Sequence, residues 1–511
     1  MTLADVDTTV ETTRGAVRGT RENGISVFRG IPYAQPPVGK LRFRPPVPPD
    51  RWDGVRDATR FGEIVPQTDE SPIDKALLPD VPQGDDCLSL NVWTPDLGAA
   101  SLPVMVWLHG GSFKWGSGSC PMYDGATFAR EGVVTVSINY RLFAAGFLYV
   151  DDRPGSGNFG LLDQIAALEW VQENIASFGG DPRRVTLAGQ SAGAHSIGEL
   201  LAAPAARGLF HRGILQSGAA QMHMSAEVAE VIGAEVVSRL RASLGDDALM
   251  EVSTAELIDV TRAVEAEILP LLAKRDVVPG PMTLMSGLAT LPVHGTDVLP
   301  EPALDSIARG AARDVDLLVG SNAEEWAAMV PSPEAVKIAL TQTEMVADVV
   351  FDSEGLTGEE VLDAYRRGED ASDVVVPFGT DLVFRIPAIR LATAAQQNNP
   401  RTYMYRFAWK GALGAAHALD LPFMFDTLDE ARGEVGEFLF ELADERPESL
   451  ATIMHGTWSN FVKTGSPHHP DLPDWPAYEP TRRATMELDV ESRIVDDPDA
   501  DTRRLWDGVQ Y

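Results

Sequence analysis

The chain has 511 residues, 44% of them hydrophobic, with 42 Lys and Arg against 75 Asp and Glu, a formal charge of −33. That is enough apolar material for a large core and the composition of an ordinary globular protein, not of a disordered chain or a fibre. A surface this acidic repels nucleic acid and anionic lipid, which removes both as partners and leaves solubility as the main consequence of the charge.

Along the chain, residues 1–7 lack the basic and apolar stretches of a secretory leader, and no run of about eighteen apolar residues offers a membrane span. Residues 14–18 and 24–28 read as short antiparallel strands, followed by a proline-rich stretch over 31–49. The runs 104–108, 133–138, 185–187, 213–216, 315–319 and 402–407 are brief, apolar and bounded by Gly or polar residues, as buried strands are. Helical stretches lie between them, such as 161–176, where apolar residues recur at three- and four-residue steps. This alternation predicts an α/β fold, a mostly parallel sheet with helices on both faces. Residues 226–274 are dense in Ala, Glu, Leu and Val and read as several helices, an insertion placed to form a lid or pocket wall. The acidic stretch 426–448 reads as a solvated helical surface. With no internal repeat, residues 1–511 are taken as one domain. The two cysteines, Cys87 and Cys120, are too few for a disulfide framework, so reduced thiols and a cytoplasmic setting are expected.

The strongest chemical signal is Gly189-Gln190-Ser191-Ala192-Gly193, after the strand at 185–187 and before the helix-favouring run 192–203. A serine on a tight strand-to-helix turn is held in a strained conformation, which small flanking residues permit. The helix N-terminus adds a positive dipole end where negative charge develops. Upstream, His109-Gly110-Gly111-Ser112-Phe113 ends an apolar strand. Its glycines let backbone N–H groups approach a substrate oxygen, so Gly111 and Ser112 with Ala192 are candidates for an oxyanion hole. The Gly/Ser-rich neighbourhood of Ser119 lacks a Gly-Lys-Ser/Thr and is not a phosphate loop.

Ser191 needs a base. His195 lies a full turn down the same helix and reads as packing, while His468 and His469 sit in a proline-rich turn. His417 follows the small-residue run 411–416 beyond the strand 402–407, where loops at carboxyl ends of strands assemble sites. An acid between Ser and His in chain order comes from Gly320-Ser-Asn-Ala-Glu-Glu-Trp326, and the pattern alone does not separate Glu324 from Glu325. No metal-binding pattern is present, and no cofactor is expected.

The chain resembles the type-B carboxylesterase family of the α/β-hydrolase superfamily, the group that includes bacterial para-nitrobenzyl esterases and cholinesterases, from about residue 10 to the C-terminus. The bearers are Phe28-Arg-Gly-Ile-Pro-Tyr-Ala34, Pro36-Pro-Val-Gly39, Asp86-Cys-Leu-Ser-Leu-Asn-Val-Trp93, Asn139-Tyr-Arg-Leu142, Gly160-Leu-Leu-Asp-Gln164, Phe178-Gly-Gly-Asp-Pro182, Gln216-Ser-Gly218 and Trp458…Phe461…Thr464-Gly-Ser-Pro467. The resemblance implies Ser191 as nucleophile, His417 as base and Glu325 as acid, with Gly111, Ser112 and Ala192 supplying oxyanion N–H groups and Ser217 a nearby hydroxyl. It also implies two scaffold ion pairs, Arg42 with Asp85 and Arg141 with Asp163.

Three departures stand out. Gln190 replaces the usual Glu, removing a negative charge beside the serine that would attract cationic esters. Trp326 and Phe143 replace glycines and would reshape the pocket rim. The disulfide partner expected upstream of Cys87 in secreted relatives is absent, which fits an intracellular bacterial enzyme.

These readings predict a two-step acyl transfer from a small-molecule ester, with the rate rising with pH as the base becomes neutral. A monomer is expected. Phe113, Trp115, Phe143, Met222, Met224 and Met329 are candidates to line an apolar cleft for small to medium acyl chains or aryl esters. Carbamate or activated amide hydrolysis is the nearest enzymatic rival. A non-catalytic binding module on the same fold is the rival from another class.

Overall fold

The computed structural model describes residues 8–67, 78–151, 153–245, 248–368, 370–428 and 447–509. Its strands are β1 (Thr8–Glu11), β2 (Ala16–Glu22), β3 (Ile25–Pro32), β4 (Val55–Asp57), β5 (Ser89–Thr94), β6 (Leu102–Leu108), β7 (Val134–Ile138), β8 (Gly180–Gln190), β9 (Arg212–Gln216), β10 (Met224–Ser225), β11 (Val293–His294), β12 (Asp316–Asn322), β13 (Thr402–Phe407), β14 (Ala484–Leu488) and β15 (Arg493–Asp496). A 13-stranded sheet runs in the order β1-β2-β3-β5-β7-β6-β8-β9-β12-β13-β14-β15, with β4 beside β2, while β10 and β11 pair separately. From β1 to β7 the neighbours along this order are antiparallel. From β7 through β14 every pairing is parallel, and β15 returns antiparallel on the far edge. The predicted parallel sheet is therefore the centre of the molecule, and the antiparallel start predicted over 14–28 is the β2–β3 pair.

The central strands read as continuous apolar runs because both of their faces are covered. Successive side chains alternate between the faces. Val104, Val106 and Leu108 of β6 join one core with Leu187, Leu215 and Val319, whereas Met105 and Trp107 join a second with Ala188, Ile214 and Leu318. The helices Phe159–Asn174, Ala192–Ala202 and Ile386–Gln396 pack into the first core. Helix Glu448–Thr464 packs into the second through Met454, Trp458 and Phe461. Periodicity does not predict β5, because Asn91 interrupts its apolar run. Its buried amide earns that place by donating to Ser137 Oγ at 3.0 Å and accepting the Gly30 N–H at 2.9 Å.

Segment 226–274 forms the helices Ala226–Leu244, Ala248–Glu251, Thr254–Glu265 and Ile268–Ala273. Ser225 and Ser253 start two of them by accepting the N–H groups of Val228 and Glu256, caps worth about 1 kcal/mol each. Of the acidic stretch 426–448, residues 429–446 lie outside the described residues.

Of the two implied ion pairs, Arg141–Asp163 is formed and buried, with Nε and Nη2 each 2.7 Å from a carboxylate oxygen. Removing one partner of such a pair costs about 3–5 kcal/mol. The Arg42–Asp85 pair is not formed directly. Arg42 donates to the Val252 carbonyl and, at 3.4 Å, to the Thr254 hydroxyl, which itself donates to Asp85 at 3.1 Å. Asp85 is exposed, so a direct pair would gain little there, and the helical segment supplies Arg42 with neutral acceptors instead. Cys87 and Cys120 are free and buried. Among the described residues no helix is long and apolar enough to cross a membrane.

Candidate active site

β8 ends at Gln190 and the next helix begins at Ala192, so Ser191 alone must turn the chain. It does so at φ 54° and ψ −123°, a conformation that costs a non-glycine residue about 1–3 kcal/mol. Two backbone bonds hold it there. Its N–H donates to the Gln216 carbonyl at the end of β9 (2.9 Å), and its carbonyl accepts the His195 N–H (2.8 Å). The flanking glycines are required by contact: a Cβ on Gly193 would lie 2.0 Å from the Leu108 carbonyl oxygen, and one on Gly189 would lie 2.7 Å from the Gly193 carbonyl carbon.

Parallel strands end on one edge of the sheet, and the loops after β12 and β13 meet there. His417 Nδ1 lies 2.6 Å from Glu325 Oε2, with Glu325 fully buried and His417 10% exposed. The other Glu325 oxygen accepts the Asn322 N–H at 2.7 Å. Glu324 turns away, pairing with Lys410 at 2.7 Å and accepting the Ala415 N–H at 2.9 Å. Of the two glutamates that the pattern left open, it is Glu325 that the fold brings to His417. With Nδ1–H given to Glu325, Nε2 is left as the acceptor. Among the described residues it is the Gln190 amide, at 3.1 Å, that holds Nε2, and not the Ser191 hydroxyl.

Sequence reasoning missed the layer beneath. Asp420 is fully buried three residues after His417, accepting from Gln216 Nε2 at 2.7 Å, from Tyr405 Oη at 3.4 Å and from Asn322 Nδ2 at 3.4 Å. Burial, reinforced by the charge of Glu325, pushes its carboxyl up to about 6. A lone Asp in the run Leu419-Asp-Leu-Pro422 was the available signal, and nothing local marks it as buried.

The loop after β6 also runs against Ser191. A Cβ on Gly110 would stand 3.1 Å from Ser191 Cβ and 2.6 Å from Gln190 Oε1, so this loop lies directly against the serine. Gly111, Ser112 and Phe113 all have positive φ, 113°, 53° and 60°. Among the described residues the N–H groups of Gly111, Ser112 and Ala192 have no hydrogen-bond partner. Tyr140 braces the loop, stacking on His109 (ring centroids 4.5 Å apart) and donating to the His109 carbonyl at 2.8 Å. Burial pushes His109 down to about 4, so it is neutral packing.

His195 is packing as well: it is buried, with Nδ1 2.6 Å from the Ala219 carbonyl, and burial holds it down to about 4. His468 is exposed and His469 partly so. Ser217 is buried at φ 53°, its N–H donating to the Gly320 carbonyl at 2.9 Å and its hydroxyl without a partner. Phe113, Phe143, Met222 and Met224 are buried, whereas Met329, at the end of a short turn, is exposed. Trp326 fits where the helix Ser372–Thr380 carries Gly379, which would clash with its ring if it had a Cβ (2.4 Å). It approaches Phe384 (6.4 Å), whose ring faces His417 at 4.8 Å. Among the described residues no cluster of His, Cys, Asp and Glu is arranged to hold a metal ion.

A model of the carboxylesterase family matches residues 6–506. The chain belongs to the carboxylesterase family. It is 39% identical over 504 residues to the para-nitrobenzyl esterase of Bacillus subtilis, covering 97% of both chains. It is 35% identical to the phenmedipham hydrolase of Pseudarthrobacter oxydans, covering 95% of both. A solved carboxylesterase of Geobacillus stearothermophilus superposes with a TM-score of 0.82 at 36% identity, over 98% of this chain and all of the other. The fold is that of the α/β-hydrolases and the protein is a serine hydrolase of carboxylic esters, so the non-catalytic alternative falls.

Proposed function

We propose that this esterase works through Ser191 as nucleophile, His417 as general base and Glu325 as its orienting acid, with Gly111, Ser112 and Ala192 N–H groups as the oxyanion hole. The observation that carries the reading is the buried 2.6 Å contact between His417 and Glu325, which leaves an Nε2 lone pair facing the turn that bears Ser191. As the Gln190 amide yields Nε2, Ser191 Oγ–H donates to it. Ser191 Oγ attacks the ester carbonyl carbon, His417 takes its proton, and the carbonyl oxygen gains charge beside three unpaired N–H donors. His417 then protonates the departing alcohol, and water repeats the sequence on the acyl-enzyme. Gln190 and Ser217 sit one layer out, the first by its contact with His417 and the second beside the Gln216 carbonyl that anchors Ser191.

In the same reading residues 1–511 act as one hydrolase domain with helices 226–274 forming a wall of the pocket, and the enzyme is a bacterial, cytoplasmic monomer. The family match over 6–506 supports the single domain, and the bacterial relatives and the two free cysteines support the bacterial, cytoplasmic setting. Similarity to an esterase named for para-nitrobenzyl esters favours aryl and arylmethyl esters of short to medium acids as substrates. The test is hydrolysis of short-chain 4-nitrophenyl esters by wild type and Ser191→Ala, with folding of both checked by circular dichroism. A loss of at least about 10³-fold in the variant is expected. An active, folded Ser191→Ala enzyme would overturn the assignment.

A further inference from the structure

The loop that carries Gly111 and Ser112 turns on itself, the Lys114 and Trp115 N–H groups both donating to the Gly111 carbonyl (2.8 and 3.0 Å), yet its backbone is strained. Ser112 and Phe113 have φ of 53° and 60°, and Phe143, whose N–H bonds the Phe113 carbonyl at 2.5 Å, has φ 49°. Left-handed backbone at a bulky aromatic is unfavourable for each residue that adopts it. Such a loop keeps this geometry only where outside contacts over-determine it.

Lys114, itself in the loop, makes such contacts through its side chain. Its backbone N–H donates to the Gly111 carbonyl at 2.8 Å, so its position and that of Gly111 are tied. Its ammonium stands 5.1 Å from the Phe143 ring centroid and 2.8 Å from Glu265 Oε2. Both charged side chains are mostly buried, 16% and 15% exposed. Glu265 is the last residue of the helix Thr254–Glu265, and its other oxygen accepts the Ala289 N–H at 2.9 Å. One carboxylate therefore ties the strained loop to the helical segment and to the chain that follows it. An exposed ion pair would contribute little. This one is shielded from solvent and stacked on the aromatic whose backbone bonds the loop.

We propose that Lys114 and Glu265 are a positioning pair that sets the Gly111 and Ser112 N–H groups for the oxyanion, so that helices 226–274 govern the catalytic rate as well as forming a wall. The proposal rests on the oxyanion-hole reading above. The pair touches neither substrate nor reacting atoms and acts through Phe143 and the Gly111 carbonyl. A displacement of the donors by about 1 Å is enough to cost on the order of 100-fold in rate, and the loss falls on the transition state, where the oxygen carries charge.

The experiment uses the full chain and the variants Lys114→Met, Glu265→Gln, Lys114→Arg and the double Lys114→Met/Glu265→Gln. It measures kcat and KM with 4-nitrophenyl butyrate, the inhibition constant of an arylboronic acid whose tetrahedral serine adduct places an oxygen in the hole, and Tm. Both single variants should lose about 10- to 100-fold in kcat and weaken boronate binding by a similar factor, with KM within about twofold. Lys114→Arg should recover most of the rate, and the double variant should be no worse than the weaker single one. A wall contact that only adds stability would lower Tm and leave kcat and boronate binding within about twofold, which would overturn the proposal. Should the uncharged variants fail to fold, Glu265→Asp, which keeps the charge and shortens its reach, decides the matter by the same ratio of kcat to KM. Wild-type hydrolysis that survives Ser191→Ala would instead bring down the underlying reading, and the two failures are distinct.

Discussion

The two walls that meet at Ser191 are built by opposite means. The proposed base wall is side chain on side chain. Glu325 and His417 leave the ends of β12 and β13, strands paired through Asn322 and Phe407, and a buried 2.6 Å contact fixes their relation. The proposed oxyanion wall is backbone, and no rotamer can aim an N–H. Its direction follows from φ at Ser112 and Phe113 and from the Tyr140, Phe143 and Lys114 contacts that maintain it. The base wall should therefore fail to a change of charge at constant shape, and the oxyanion wall to any change that lets its backbone move, whether an added Cβ in the loop or the loss of a contact that braces it.

The largest effect tests the first half. Glu325→Gln keeps the volume and removes the charge that holds Nδ1–H, so kcat should fall on the order of 10⁴-fold with little change in Tm. Glu324→Gln, one residue away, loses only a partly exposed pair with Lys410 and should stay within about twofold. Steady-state kinetics of the two variants side by side would show whether the acid has been assigned to the wrong neighbour.

The second half is tested at Gly111. Its φ of 113° lies outside the range of L-residues, and a Cβ there would sit 2.0 Å from the Trp115 carbonyl oxygen. Gly111→Ala should lower kcat by about 10²–10³-fold, the worth of an oxyanion donor, and also lower Tm. Ser112→Ala removes a hydroxyl but keeps the N–H and should stay within a few-fold. If Ser112→Ala proved the more damaging change, side-chain chemistry would be acting in this wall after all.

The same contrast explains what could be read from sequence. The strands at 104–108 and 402–407, the Ser191 turn and His417 were legible because apolar runs and glycine spacing are local. Glu324 and Glu325 were inseparable because what distinguishes them, a histidine or Lys410 within reach, comes from residues about ninety positions away. The expected Arg42–Asp85 pair missed Thr254, which the helical segment inserts between the two charges. The Lys114–Glu265 contact crosses 151 positions and has no local signature.

The smallest effect lies beneath the base wall. Asp420 is ordinarily a carboxyl of 3.8, and in the folded protein burial and then the charge of Glu325 hold it up to about 6. The folded state thus keeps a proton that the unfolded chain has already lost between these values. Stability from this group is full below about pH 4 and is lost as pH rises through about 6, a swing on the order of 3 kcal/mol at most. Asp420→Asn keeps an oxygen for the Gln216 amide and cannot ionise, so it should abolish the swing. The Tm of the variant minus that of wild type should then increase from pH 5 to pH 8, by about 1 °C for a chain of this length, in a calorimetric series. A difference that stays constant with pH would mean that Asp420 does not titrate in this range. The charge beneath Glu325 would then be permanent, and the base wall would carry two buried carboxylates side by side at every working pH.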